Sequence, residues 1–83
     1  MENYWLIAKS ITQAQRMESI LRDKGYRCRY FRAPAAISKG GCSYAVAVDH
    51  ADLAKITSVL DSAQLYPLQF FRINENGWEE AEP

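Results

Sequence analysis

Twice along its length this chain passes from a short apolar run, through a helix-spaced segment, to a second strand-like run. That repetition limits the fold more than any single motif does. Residues 3–9 are dominated by Tyr4, Trp5, Leu6, Ile7 and Ala8. Apolar side chains on both parities predict a central strand covered on both faces. Ser10-Ile11-Thr12-Gln13 then matches a capping box, with Gln13 able to reach back to the cap. Ala14, Met17, Ile20 and Leu21 follow at helical spacing, and Gly25 suits a left-handed stop.

Residues 26–32 alternate, with Tyr26, Cys28 and Tyr30 on one parity and Arg27 and Arg29 on the other. Such alternation predicts a half-buried edge strand on which arginines discourage further pairing. Pro34 ends it, and residues 35–41 read as a turn in which Gly40-Gly41 can adopt positive φ. Residues 42–48 form a third strand: Tyr44, Val46 and Val48 face one way, and the small Ser43, Ala45 and Ala47 face the other. Asp49 is placed to cap a second helix carrying Leu53, Ile56, Leu60 and Ala63. Residues 65–73 close the pattern as a fourth strand, with Pro67 near its start.

The order βαββαβ predicts an α+β, ferredoxin-like sandwich: an antiparallel sheet of order 4-1-3-2 with two helices on one face. This assigns residues 1–73 to one domain and leaves residues 74–83 as an acidic tail expected to fray. In this topology the turn between the second and third strands lies where the first strand exits and the first helix begins. If alternation extends to Cys42, its thiol shares the helix-covered face with Tyr44 and Val46. It then points toward the amino end of that helix, where partial positive charge stabilises anions.

The net charge is zero, with ten basic residues against ten acidic ones. That weighs against nucleic acid and anionic membranes, which attract a basic excess. Cys28 and Cys42 are too far apart for a Cys-x-x-Cys pair, and the single His50 does not complete a metal site. With no signal-like or membrane-spanning stretch, a reducing cytoplasm is the expected compartment and both cysteines are expected as thiols.

The opening aromatic-aliphatic strand and the helix ending near Gly25 carry a resemblance, together with Pro34, Ile37-Ser38 before Cys42, residues 49–53 and Phe70-Phe71-Arg72-Ile73. Over residues 4–73 the chain resembles a small bacterial family of selenium/sulfur-carrier-like proteins. Family members usually carry Cys-Gly at the motif. Here Cys42 is followed by Ser43 and preceded by Gly40-Gly41. The resemblance implies a carrier or binding protein rather than a turnover enzyme. Cys42 would accept sulfur or selenium from a donor protein and pass it to an acceptor protein, with no cofactor and no metal. Lys39 would favour the anion, and Gly40, Gly41 and Ser43 would shape the approach. Exchange at sulfur needs a thiolate and open access. A thiol of pKa about 8.5 is only about 3% ionised at pH 7. Lowering that pKa by about one unit raises the fraction to roughly a quarter.

Plainer readings stand beside this one. Cys42 also reads as a small buried residue opening a strand, and Cys28, between Tyr26 and Tyr30, as core. His50 reads as a solvated first-turn residue. An RNA-recognition reading of residues 39–48 fails on spacing, on the alanines of the open face and on charge. The stronger alternative is a non-catalytic interaction or ligand-sensing module. Ser43, Ala45, Ala47, Gln69 and Phe71, with Ile7 or Trp5, would form an apolar open face, rimmed by Arg27 and Arg29 and suited to a homodimer.

Overall fold

The first strand, β1 (Tyr4–Ala8), lies in the middle of the sheet, as its doubly apolar sequence requires. A computed structural model describes residues 3–38, 43–67 and 69–81. Strand β3 (Tyr44–Val48) pairs with one side of β1, and β4 (Gln69–Asn74) with the other. Outside β3 lies β2 (Cys28–Arg32), and outside β4 lies β5 (Gly77–Ala81); every neighbouring pair is antiparallel.

The class is α+β, but the sheet is not the four-stranded 4-1-3-2 one expected: that order, read from the other edge, is extended by a fifth strand beyond β4. The sheet has five strands in the order β2-β3-β1-β4-β5. The difference is made at the β4 edge, by the segment expected to fray. Glu75 and Asn76 form a two-residue turn in which the Asn74 Oδ1 accepts from the Asn76 amide at 2.9 Å. Gly77 takes the positive φ, +121°, that brings the chain back. Arg72 then donates from both Nε (3.0 Å) and Nη2 (2.7 Å) to Glu79 Oε1 across the hairpin. This hydrogen bond and the Glu79 charge hold the Arg72 guanidinium above its ordinary pKa. The acids that suggested a solvated tail are the outward-facing residues of an edge strand, where charge deters further pairing.

Helices α1 (Ile11–Asp23) and α3 (Leu53–Ser62) cover one face of the sheet. Their apolar residues Ala14, Met17, Leu21, Leu53, Ile56 and Leu60 meet Leu6, Val46, Val48 and Phe70. The capping box at α1 forms with a shift of one residue. The Gln13 amide donates to Ser10 Oγ at 3.2 Å, and Gln13 Oε1 accepts from the Lys9 amide at 2.8 Å. At the other end Gly25, at φ +89°, lets the Tyr26 amide close back onto the Leu21 carbonyl at 2.9 Å. Helix α3 ends by the same closure, Leu65 onto Leu60 at 2.8 Å, but with Gln64 in the left-handed position at φ 60°.

Asp49 does not cap α3 directly. It accepts from the Ala51 amide at 3.0 Å in a 3-10 turn (His50–Asp52), and the cap position falls to Asp52. The second and fourth strands begin later than their hydrophobic runs suggest, at Cys28 and Gln69. The turn after Pro34 includes a short helix, α2 (Ala35–Ser38), whose Ile37 packs on the sheet face opposite α1 and α3.

Candidate functional site

Arg32, Tyr44 and Ala8 stand side by side across β2, β3 and β1. The connection from β2 to β3 therefore leaves the sheet at the end where β1 exits and α1 begins. Of the five residues assigned to the site from the sequence, Ser43 lies among the described ones. It is half-buried, and its carbonyl accepts from the Ala33 amide at 3.0 Å, which extends the β2–β3 ladder by one step. Lys39, Gly40, Gly41 and Cys42 lie outside the described residues. The side chains of Tyr44, Val46 and Val48 do pack in the helix-covered core, as the alternation requires.

The same end of the molecule carries a hollow of about 250 Å³ at the start of α1. Lys9, Ser10, Gln13 and Arg16 form its α1 side, and Gln64 and Leu65 from the end of α3 close the other. Lys9 and Arg16 are exposed, so two cations stand beside the amide-rich first turn of the helix. The sequence signalled Lys9 and the cap but not Arg16, Gln64 or Leu65. Their approach depends on how α3 packs against α1, which local pattern does not encode. A larger hollow, about 450 Å³, is lined by Arg22, Gly25, Tyr26, Arg27 and Cys28. It lies at the opposite end of β2 from Arg32, so it is remote from Ser43.

Cys28 is a core residue. It is 3% exposed, and its thiol donates to the Glu18 carbonyl at an Sγ–O distance of 3.7 Å. Its neighbour across the ladder is Val48, four residues along β3 from Tyr44, so it does not approach the Ser43 end. His50 opens the 3-10 turn two residues after Val48, also at the far end of β3. Among the described residues no helix is long and apolar enough to cross a membrane.

The second sheet face differs from the flat apolar surface expected of it. Ala45 and Ala47 are fully buried. Their small side chains on β3 leave room for Trp5 of β1 and Phe31 of β2 to meet edge-to-face, with centroids 4.9 Å apart. Arg29 lies over the Phe31 ring at 5.1 Å. On the other side Trp78 approaches Trp5 at 6.0 Å. The result is an aromatic layer over the small residues. Trp78, on the strand that was not foreseen, is its most exposed named member at 42%.

Comparison with protein families adds a match over residues 3–72 to the family described as Putative Se/S carrier protein-like. The chain belongs to this family. The match begins just before β1, ends within β4, and includes the whole segment from Pro34 to Tyr44. The strand β5 and its Trp78 fall outside the family's matched span. Comparison with curated proteins and with solved structures gives no match.

Proposed function

We propose that the protein carries sulfur, or its selenium equivalent, as a persulfide on Cys42. The observation that carries this reading is the family match, which spans Cys42 and the framework on either side of it. The arrangement of the described neighbours adds to it. Ser43, directly after Cys42, is fixed to β2 by its carbonyl, at the sheet end where Lys9, Arg16 and the first turn of α1 supply positive potential.

The chemistry is thiol exchange in two balanced steps. The Cys42 thiolate attacks the outer sulfur of a persulfide on a donor protein. A new sulfur–sulfur bond forms as the donor's own bond breaks, and the donor leaves as its thiolate. An acceptor thiolate then attacks the outer sulfur now held on Cys42, and Cys42 departs as thiolate. No net oxidant or reductant is consumed, and no general base is needed once the thiolate is present. Lys39 favours that thiolate, while Gly40, Gly41 and Ser43 keep the approach open. The reading extends to a cytoplasmic accessory protein that meets donor and acceptor proteins in turn. Incubation with a persulfide-loaded cysteine desulfurase, followed by intact-mass spectrometry, tests it. One added sulfur on wild type and none on Cys42→Ser is the expected result. Equal loading of both proteins, or of neither, refutes it.

A second reading, a binding module acting through the open sheet face, is favoured by the aromatic layer in which half-buried Trp5 and Phe31 adjoin the exposed Trp78.

A further inference from the structure

The open face carries a cross-strand row with an unusual symmetry. Arg29, Ala47, Trp5, Phe71 and Glu80 are direct register partners across β2, β3, β1, β4 and β5. The row runs from a cation at one sheet edge, through Trp5 on the middle strand, to an anion at the other. Arg29 and Glu80 are both exposed. Glu80 also accepts from Gln69 Nε2 at 3.3 Å, and Arg29 rests on Phe31, so both are held near the face.

We propose that this face binds a second copy of the chain, about a two-fold axis running along β1. The proposal does not depend on the carrier chemistry of Cys42. A two-fold in the interface parallel to the strands exchanges the two sheet edges. It sets Arg29 opposite the partner's Glu80, Glu80 opposite the partner's Arg29, and Trp5 against the partner's Trp5. The register also brings the partner's Trp78 to the level of Arg27, which shares the parity of Arg29 and is exposed. Arg27 and Trp78 make a cation–aromatic pair. The other face-to-face two-fold, across the strands, sets Arg29 against Arg29 and Glu80 against Glu80. Charge therefore selects the first arrangement. It is isologous, as a two-fold interface must be, and compatible with aligned sheet packing. Ile37 of helix α2 packs on this face in one cluster with Ile7, Ala33, Ala45 and Phe71.

The area sets the strength. Five strands at about 4.8 Å spacing and about 17 Å length give roughly 400 Å² of sheet face, part of it already covered by Ile37 of α2. That is about half of the roughly 800 Å² per partner of a standard stable interface. The dimer is therefore weak and concentration-dependent, centred on a Trp–Trp contact of the kind that dominates binding energy.

Sedimentation equilibrium from about 10 μM to about 1 mM, at low salt, tests the proposal by charge exchange. Wild type should rise from the 9.5 kDa monomer toward twice that mass. Arg29→Glu and Glu80→Arg should each raise the dissociation constant by about tenfold or more, because each sets two like-charge pairs across the interface. Mixing the two variants should restore association, since the mixed pair has both charge pairs opposite in sign. Thermal melts establish that each variant is folded. A wild type that stays monomeric at about 1 mM overturns the proposal and leaves the face to a different partner. So do single exchanges that associate like wild type, or a mixture of folded variants that does not recover.

Discussion

The two long helices end by the same hydrogen-bond closure but with different residues in the left-handed position. Gly25 takes φ +89° after α1, and Gln64 takes φ 60° after α3. An L-residue in that region carries roughly 1–2 kcal/mol of steric cost that glycine lacks. Glycine forfeits roughly 0.4–1 kcal/mol through its freer unfolded chain. Gln64→Gly should therefore stabilise the protein by a net ~0.5–1 kcal/mol. Gly25→Ala should destabilise it by a similar or larger amount, although a Cβ at Gly25 meets nothing within 4 Å. For a domain of this size about 1 kcal/mol moves Tm by about 4–8 °C. Calorimetry at a concentration where the protein is monomeric should show Gln64→Gly melting about 2–6 °C higher than wild type, and Gly25→Ala lower. Because Gln64 is exposed, loss of packing adds little. A Gln64→Gly protein that melts at or below wild type would refute the assignment of strain to that helix end.

Two further substitutions probe the parts that sequence pattern did not foresee. Gly77→Ala leaves open space around the new methyl but places it at φ +121°. It should cost about 1–3 kcal/mol and speed hydrogen exchange first in β5, read by NMR. Trp5→Ala removes the ring that meets Phe31 and Trp78 and shelters Ala47. Urea unfolding followed by the remaining tryptophan should show about 2–3 kcal/mol of lost stability, below the cost at a fully buried site because Trp5 is half-buried.

The parts of the fold that local chemistry determines were legible in the sequence. The capping residues at Ser10–Gln13 and the glycine stop at Gly25 bracket α1. The parity of Tyr44, Val46 and Val48 sets which side of β3 faces the helices. What depends on partners distant in sequence was not legible. The acids of 79–80 look like a solvated tail until Arg72 on β4 is seen to receive one of them. Likewise Ala45 and Ala47 look like an open surface until Trp5 and Phe31 close over them. The cap of α3 moved from Asp49 to Asp52 because a 3-10 turn intervenes, a local detail that the hydrophobic period alone does not contain. For the candidate site, the sequence indicated the sheet end at which Ser43 lies, while Cys42 falls outside the described residues, and the packing of α3 supplied Gln64 and Leu65 beside the start of α1.

Whether Cys42 carries sulfur is read from the pH dependence of thiol alkylation, comparing wild type with Cys42→Ser and Cys28→Ser. Cys28, buried and bonded to the Glu18 carbonyl, should react only on unfolding. If Cys42 carries sulfur, it should react fast in the folded protein, with an apparent pKa clearly below the roughly 8.5 of an ordinary thiol. A Cys42 that reacts only after unfolding, or that titrates like an ordinary thiol, would contradict the carrier function.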